Sequence, residues 1–421
     1  MNNSKLKESN IKWLGKIPDN WKTIKFNALY DLRNEKVSDK DFPPLSVTKM
    51  GIVPQLSNAA KTNNGDNRKL VEIGDFAINS RSDRRGSCGI SKYEGSVSLI
   101  NTVLKPINRE MNPRYYGWLF KTVEFADEFY KWGHGIVDDL WTTNWQDMKN
   151  ITLVCPSKTE QNKIADFLDK KVSQIDDISK KIQQEITDLE EYRKSIITKA
   201  VTKGLNPNVP MKDSGIPWIG KIPQNWKIIK GKYLFRLLSK PVKKDDQVIT
   251  CFRDGQVTLR VKRRTTGFTM SDQEIGYQGI DKGDLVVHGM DGFAGAIGIS
   301  DSRGKGSPVL NVLDSNQDKK YMMYCLRATA QLGVFQALAK GIRVRSADTR
   351  WPTLANLKYA IPPQSEQANV VNYLSNNSYK LNAIIQAKKD LVEKLNQYKQ
   401  SIIYEYVTGK KQVPTEEGAV E

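Results

Sequence analysis

The chain contains very little histidine and cysteine. Its 421 residues include two histidines, His134 and His288, and four widely scattered cysteines. Two histidines leave little room for a histidine-based metal site or for a hydrolytic triad. The cysteines form no CxxC pair, so the sequence indicates neither a zinc site nor a disulfide framework.

Cofactor loops and long apolar runs are missing as well. No Gly-Lys pair is followed by Ser or Thr, which excludes a Walker A loop for ATP. Gly292–Gly298 has GxxGxxG spacing, but no helical pattern follows it, and this argues against a dinucleotide site. No run approaches the roughly 18 apolar residues of a membrane span, and the first residues lack the apolar core of a signal peptide. We therefore expect a cytoplasmic protein without membrane contact and without a catalytic constellation.

Acidic residues are fewer than basic ones. The chain has 47 Asp and Glu against 65 Lys and Arg, which gives a formal net charge of +18. This balance favours a polyanionic partner, because each phosphate that a protein neutralises releases condensed counterions. An ordinary basic protein remains the alternative, although the charge alone favours nucleic acid.

Internal repetition is the most informative feature of the chain. Ile11–Lys22 returns as Ile216–Lys227 at an offset of 205 residues, taken from the two tryptophans of each block. Tyr192–Ile197 returns as Tyr398–Ile403 at an offset of 206. A period this long predicts two whole domains, each followed by the same connector. The function must therefore need two similar but non-identical modules.

The two connectors have a helical pattern. Five apolar residues lie at strict seven-residue spacing, and further apolar positions, including Ile178 and Tyr192, lie three or four residues after them. The five are Leu168, Ile175, Ile182, Leu189 and Ile196. Sustained heptads predict a coiled-coil seam, and a helix of about 44 residues would run about 66 Å. Because both helices belong to one chain, we expect them to pair antiparallel. Ser157 and Glu160 predict a capping box at the start of the first helix.

The repeat sets the predicted domain boundaries. We predict mixed α/β domains over 1–155 and 206–360, spacer helices over 156–205 and 361–411, and a flexible tail over 412–421. The fold class is α+β: two similar domains separated by two long antiparallel coiled-coil helices, with a pseudo-twofold internal repeat.

Shared anchors in the two domains enclose segments that differ. Gly74-Asp75 matches Gly283-Asp284, yet Asn79–Arg85 stands where the second half has His288–Ala294. A common frame with divergent loops is what two different recognition surfaces would show, although neutral drift also makes loops diverge.

These repeated blocks resemble the conserved regions of the specificity subunit of type I restriction-modification systems. Trp13–Trp21 is similar to the motif that opens each domain, and Ile361–Gln367 to the proline-led motif that opens each conserved helix. The first copy, Cys155–Gln161, has Ser157 in place of the second proline. The resemblance covers nearly the whole chain.

The resemblance implies a function without catalysis in this chain. Each half would be a target recognition domain that reads one half of a split duplex DNA sequence. The paired helices would set the spacing and dock two adenine methyltransferase (modification) subunits, and restriction/translocase subunits would join the full complex. We expect no cofactor in this chain. S-adenosylmethionine, ATP and Mg would belong to the partner subunits, as would the adenine-N6 methyltransferase and ATP-dependent endonuclease activities.

Candidate DNA-binding residues are exposed donors and acceptors in the divergent loops, because bases are read by Arg, Lys, Asn and Gln. They are Lys49, Asn79, Arg81, Arg84 and Arg85 in the first half, and Arg253, Arg260, Arg263, Arg264, Arg343 and Arg345 in the second. For each arginine, a phosphate contact or a solvated charge is the alternative. His288 and the repeated tryptophans are expected to pack within the scaffold.

Candidate partner-binding residues lie on the two helices. They are Leu189, Tyr192, Ile196, Leu395, Tyr398 and Ile402.

Two other classes of function stay open. A self-sufficient methyltransferase or nuclease is disfavoured by the missing cofactor loop and catalytic motif. A non-catalytic coiled-coil adaptor that binds protein is disfavoured by the net charge of +18. Salt-sensitive binding to duplex DNA would separate the adaptor from a DNA-specificity subunit.

Overall fold

The chain forms two compact units in a computed structural model. Unit 1 comprises Met1–Ile182 and Asp390–Glu421, and unit 2 comprises Gln183–Lys389. The structure describes residues 5–55, 65–81, 84–108, 110–135, 141–263, 275–338 and 349–414. Both unit boundaries fall inside long helices, so each unit contains a part of each long helix.

Unit 1 combines short strands with three short helices. Its strands are β1 (Leu6–Glu8), β2 (Lys16–Pro18), β3 (Lys22–Lys25), β4 (Tyr30–Leu32), β5 (Lys36–Val37), β6 (Leu45–Thr48), β7 (Gly51–Pro54), β8 (Arg68–Val71), β9 (Phe76–Asn79), β10 (Cys88–Ile90), β11 (Gly95–Val97), β12 (Asn101–Pro106) and β13 (Thr152–Cys155). Its short helices are α1 (Pro113–Leu119), α2 (Val123–Lys131) and α3 (Trp145–Met148). The first long helix, α4 (Lys158–Lys203), follows β13 and continues into unit 2.

Unit 2 repeats this arrangement. Its strands are β14 (Met211–Asp213), β15 (Lys221–Pro223), β16 (Lys227–Lys230), β17 (Phe235–Leu238), β18 (Ile249–Cys251), β19 (Val257–Leu259), β20 (Gln278–Ile280), β21 (Leu285–His288), β22 (Ile297–Ile299), β23 (Gly304–Gly306), β24 (Leu310–Ser315) and β25 (Lys358–Ile361). Its short helices are α5 (Lys319–Gln331), α6 (Val334–Ala337) and α7 (Trp351–Asn356). The second long helix, α8 (Gln364–Val407), follows β25 and continues into unit 1.

An antiparallel sheet with strand order β10-β9-β12-β4 forms the centre of unit 1. Its strand β9 is buried along its whole length. Phe76 and Ile78 contribute to the core that also contains residues of α1 and α2. Ala77, which lies between them, contributes to the core formed with β6, β7 and β8. This alternation is the two-residue period of a strand, and here both faces of the sheet are covered.

Unit 2 has the equivalent sheet in the order β22-β21-β24-β17. Leu285 and Val287 belong to the core that contains α5, while Val286 belongs to the smaller core on the other face. The duplicated sheet and the long helix after each copy confirm the predicted α+β class and its internal repeat.

The two long helices run antiparallel. In unit 1, Lys399 of α8 forms an ion pair with Asp176 of α4 at 2.6 Å. In unit 2, Lys388 of α8 forms an ion pair with Glu185 of α4 at 2.5 Å. Tyr406 of α8 also contacts Phe167 of α4 in unit 1, and Asn382 of α8 contacts Arg193 of α4 in unit 2. Within each unit, residue numbers therefore rise along α4 as they fall along α8. The predicted antiparallel pairing is confirmed within each unit.

The buried seam of α4 follows the predicted heptad row and the predicted positions four residues after it, but not those three residues after it. Leu168 and Val172 are buried, and the same spacing of four recurs at Ile182 and Ile186. The prediction that Ile178 and Tyr192 also fill the seam is wrong, because both side chains are about half exposed. Each residue turns an α-helix by about 100°. A residue four positions after a heptad residue therefore lies about 40° from the heptad row, whereas a residue three positions after it lies about 60° away on the other side.

The start of α4 is held as the sequence predicts. The Ser157 hydroxyl accepts a hydrogen bond from the Glu160 amide at 3.3 Å, and the Glu160 carboxylate accepts one from the Ser157 amide at 3.3 Å. These reciprocal bonds are a capping box. The Glu160 carboxylate also accepts a bond from the Trp21 indole at 3.1 Å. This bond joins the repeated tryptophan block to the beginning of the helix.

The far end of α8 belongs to the core of unit 1, which makes a direct test possible. Ile402 is 3% exposed and packs in the same core as α1 and α2. We expect Ile402→Ala to lower the free energy of unfolding by about 2–5 kcal/mol, measured by denaturant unfolding. Leu391→Ala, at an exposed position of the same helix, is the control and should change it little. Equal losses in both variants would contradict this account of the core.

Candidate nucleic-acid interface

The loop after β9 carries three of the candidate arginines of unit 1. Arg81, Arg84 and Arg85 are all exposed. The Arg84 amide donates to the Arg81 carbonyl at 3.2 Å, and the Ser87 amide donates to the Arg84 carbonyl at 2.9 Å, so the loop is a compact turn. These three side chains therefore leave one short segment directly before β10.

Asn79 differs from its candidate neighbours because it is only 7% exposed. Its amide oxygen accepts from the Arg81 amide at 3.1 Å, and its carbonyl accepts from the Tyr130 hydroxyl at 2.9 Å. These contacts give Asn79 a role in shaping the turn. Its contact with a base stays a prediction that the burial of its side chain disfavours.

The other candidates of unit 1 have distinct surroundings. Arg85 forms an ion pair with Asp127 and lies over the ring of Tyr130, 5.9 Å from its centroid. Exposed ion pairs contribute about 0–1 kcal/mol, so a phosphate can replace this partner at small cost. Lys49 is exposed at the tip of the β6–β7 hairpin, and β7 contacts β10. The hairpin and the arginine loop therefore both adjoin β10.

The three described candidate arginines of unit 2 lie in or directly after the β18–β19 hairpin. Arg253 lies in its turn and pairs with Asp291 at 2.8 Å. Arg263 follows β19, pairs with Asp254 at 2.7 Å, and lies over the ring of Phe252 at 4.1 Å. Arg260 is partly buried, and its Nε donates to the Thr250 hydroxyl at 3.4 Å. Arg264, Arg343 and Arg345 lie outside the described residues.

His288 ends the central strand of unit 2, as Asn79 ends that of unit 1. Its Nδ1 accepts hydrogen bonds from the amides of Met290 and Asp291 at 3.3 and 3.0 Å. Burial lowers the pKa of His288, which favours the neutral ring that these acceptor contacts require. The expectation that His288 packs within the scaffold agrees with this geometry.

The repeated tryptophans belong to the scaffold, as expected. Trp13 and Trp21 are buried in unit 1, and Trp226 is buried in unit 2. Trp145 and Trp351 are partly buried against the main cores of units 1 and 2. Sequence specificity must therefore come from residues outside this shared set.

The six candidate partner-binding residues separate into three kinds. Ile196 and Ile402 are buried in the main cores of units 2 and 1, which corrects their assignment to an outer surface. Leu189 and Leu395 are partly buried against the same two cores. Only Tyr192 and Tyr398 are extensively exposed, at 54% and 48%.

Two exposed isoleucines belong with these tyrosines, and the sequence prediction missed them. Ile178 and Ile384 are about half exposed and, like the tyrosines, are 206 residues apart. In α4 and in α8, each isoleucine precedes its tyrosine by 14 residues, which is two heptads. The same row of both helices therefore carries unburied apolar side chains. The sequence did contain a signal for this surface, because all four residues lie three residues after a position of the heptad row.

Metal-ion and membrane sites are not indicated. Within the described ranges, the structure brings together no group of three His, Cys, Asp or Glu side chains that could hold a metal ion. In the same part of the chain, no helix has the length and apolarity that a membrane crossing requires.

Comparisons with known proteins agree with this architecture. Residues 18–188 match the family model of the type I restriction modification DNA specificity domain. A protein of Methanocaldococcus jannaschii, named as the type I restriction enzyme MjaX specificity subunit, is 21% identical over 97% of this chain and 98% of its own length. The family model therefore matches unit 1 and the first part of α4, and the relative is similar over both halves of the chain. These likenesses support a DNA sequence-specificity role for a chain that carries two copies of one globular frame.

Solved structures related to this family show the same fold. A chain from a type I R-M system, described for its complex assembly and conformational transition, superposes with a TM-score of 0.66 at 12% identity, covering 94% of this chain and 100% of that chain. The HsdS subunit from Thermoanaerobacter tengcongensis gives a TM-score of 0.50 at 13% identity, covering 96% of this chain and 100% of that one. At such low identity these likenesses concern the fold and not the target sequence.

The role of Arg81 can be tested by substitution. If its guanidinium reads a base, Arg81→Ala should relax one position of one half-site at a cost of about 1–3 kcal/mol. Binding to a panel of duplexes with single base changes measures this. Arg114→Ala, which removes an exposed α1 arginine paired with Asp166 and Asp169, is the control. Uniform weakening across the panel, with a shallower salt dependence, would assign Arg81 to a phosphate.

Proposed function

We propose that each unit reads one half of a split duplex DNA target, and that the chain directs partner enzymes to it. The two units repeat one sheet, yet they differ where the central strand ends. In unit 1 that end leads towards the exposed Arg81, Arg84 and Arg85, and in unit 2 into the His288–Gly292 turn beside the β18–β19 hairpin. This difference within a shared frame is the observation that carries the proposal, because two readers need different contacts on similar supports.

The partner subunits would supply the chemistry. We infer that two adenine methyltransferase subunits dock on this chain, and that restriction/translocase subunits join the full complex. S-adenosylmethionine, ATP and Mg would then be bound by those partners. The duplicated exposed row on α4 and α8 supports two docking events, because an apolar surface that occurs twice suits a partner present in two copies.

The helix pair would set the distance between the half-sites. Half-sites read from one face of DNA lie about one helical turn apart, about 34 Å between centres. A stiff antiparallel pair suits this task because its buried apolar rows and its ion pairs resist sliding. The pairs Lys399–Asp176 and Lys388–Glu185 support one register of the two helices.

A base-modification map of genomic DNA tests the proposed function. The map is made from cells that express this chain with an active methyltransferase subunit. A split motif with methyladenine on opposite strands in its two halves is the expected result. A continuous motif would refute the two-reader model, and no new methylation at all would favour a protein-binding adaptor.

Lengthening both helices tests the spacer role. Seven residues inserted after Ile182 and seven after Lys389 keep the heptad pattern and add about 10.5 Å to the pair. We expect the same two half-site sequences with a longer gap, by at most about three base pairs. The same insertion in α4 alone is the control, and it should disrupt the pairing. An unchanged gap in the doubly lengthened chain would refute the spacer role.

Replacing the exposed tyrosines tests the docking surface. Tyr192→Ser with Tyr398→Ser should weaken binding of the methyltransferase subunit by about 1–2 kcal/mol per site, measured by titration. DNA specificity should stay the same. Tyr379→Ser is the matched control, since Tyr379 is exposed on α8 but has Ser173 as its counterpart on α4. If all three substitutions weakened binding equally, the row would have no special role.

A further inference from the structure

A cavity of about 340 Å³ in unit 2 is lined by an excess of positive charge. Its walls come from the turn of the β18–β19 hairpin, the end of α5, and the parts of α4 and α8 that belong to this unit. Four cationic side chains and one carboxylate line it. They are Arg193, Lys194, Arg253, Arg327 and Asp254.

The acidic groups in this region are already engaged. The Asp254 carboxylate is held by Arg263 at 2.7 Å, and Arg253 is held by Asp291 at 2.8 Å. Among the described residues, Arg193, Lys194 and Arg327 form no ion pair. Within the part of the chain that the structure describes, no ion pair therefore neutralises these three side chains.

Arg327 is the least solvated of these cations. Its Nε donates to the Ile297 carbonyl and its Nη2 to the Gly255 carbonyl, both at 2.8 Å. Burial lowers the pKa of Arg327, and the nearby Asp254 carboxylate opposes part of this shift. Gly255 is needed for this approach, because a Cβ there would overlap the guanidinium. The turn thus holds a buried cation in place beside the cavity.

In unit 1 the cations and carboxylates at the equivalent place are equal in number. The cavity that α4 borders there is lined by three cations and three carboxylates. Lys399 and Asp176 of unit 1 form an ion pair at 2.6 Å. At the repeat offset of 206, the counterparts of these two residues are Arg193 and Asn382, and Arg193 donates to the Asn382 amide oxygen at 2.7 Å. The contact is kept, but the carboxylate has been replaced by a neutral amide.

We propose that the unit 2 cavity is a binding site for a phosphate group. Arginine guanidinium groups match phosphate oxygens through paired donors, and three arginines line this cavity. A phosphate would supply the negative charge that Asn382 lacks. Two sources share this chemistry: the backbone of duplex DNA, which rests on the proposed function, and a small free phosphate compound, which does not.

A charge substitution tests this site in the full chain. Asn382→Asp recreates the carboxylate of unit 1 and should pair with Arg193 as Asp176 pairs with Lys399. Arg193→Gln removes the cation instead and decides the question if the first variant does not fold. Asn396→Asp, which makes the same change of charge at an exposed site of α8 in unit 1, is the control.

Two measurements separate the sources of phosphate. Titration with inorganic phosphate at constant ionic strength should give a dissociation constant that rises about tenfold or more in Asn382→Asp and Arg193→Gln. If DNA supplies the phosphate, the slope of log K against log salt for duplex DNA should also fall by about 0.9 in both variants. Loss of phosphate binding with an unchanged slope would assign the site to a small phosphate compound.

The outcomes distinguish this proposal from the proposed function. Phosphate affinity and salt slope that match those of the wild type and of Asn396→Asp, in both variants, would overturn the phosphate site. Loss of affinity for a partner protein alone would also overturn it. If the wild-type chain did not bind duplex DNA at all, the proposed function would fail, while the phosphate titration would still decide the cavity.

Discussion

Each unit depends on helix segments that reach it from distant parts of the chain. The core of unit 1 contains Ile402 and Val407 from the end of α8, and the Tyr115 hydroxyl donates to the Val407 carbonyl at 2.7 Å. The core of unit 2 likewise contains Ile196 and Val201 from the end of α4. Neither globular part can bury its apolar residues without both helices. The helix pair is therefore part of each folding unit and cannot be treated as a detachable linker.

A second constraint fixes the loops that would face DNA. In both units a buried aspartate precedes the central strand and accepts from a distant cation: Asp75 from Arg33 at 2.7 Å, and Asp284 from Lys240 at 2.7 Å. A buried carboxylate without such a partner would cost several kcal/mol, so the pair must form wherever the strand is buried. These ion pairs therefore hold the start of the central strand, which leads to the divergent loop of each unit. Divergent loops can change at its other end without disturbing the sheet.

The sequence predicted the features that repeat locally and missed those set by long-range pairing. The heptads and the capping residue Ser157 are local patterns, so the sequence alone was enough to predict the long helices, and the structure agrees. Whether Ile178 lies in the seam depends on which side of α4 the partner helix occupies, and no local pattern contains that information. The same holds for the pairing of Asp75 with Arg33, which is remote in sequence. Asn79 was predicted to contact a base because the sequence alone does not show that the neighbouring strands bury its side chain.

Two copies within one chain can change independently, whereas the two subunits of a homodimer cannot. The charged residues of this protein differ between the copies in this way. In a homodimer, replacing one aspartate by asparagine would change both sites at once. Here Asp176 remains in one copy while Asn382 occupies the other, and the cation beside each is kept. The apolar rows of the helices differ between the copies as well, since Lys388 stands in α8 where α4 has the buried Ile182. Asymmetry has therefore accumulated at positions such as Asn382 and Lys388, and under the proposed function it would suit a target whose two halves differ.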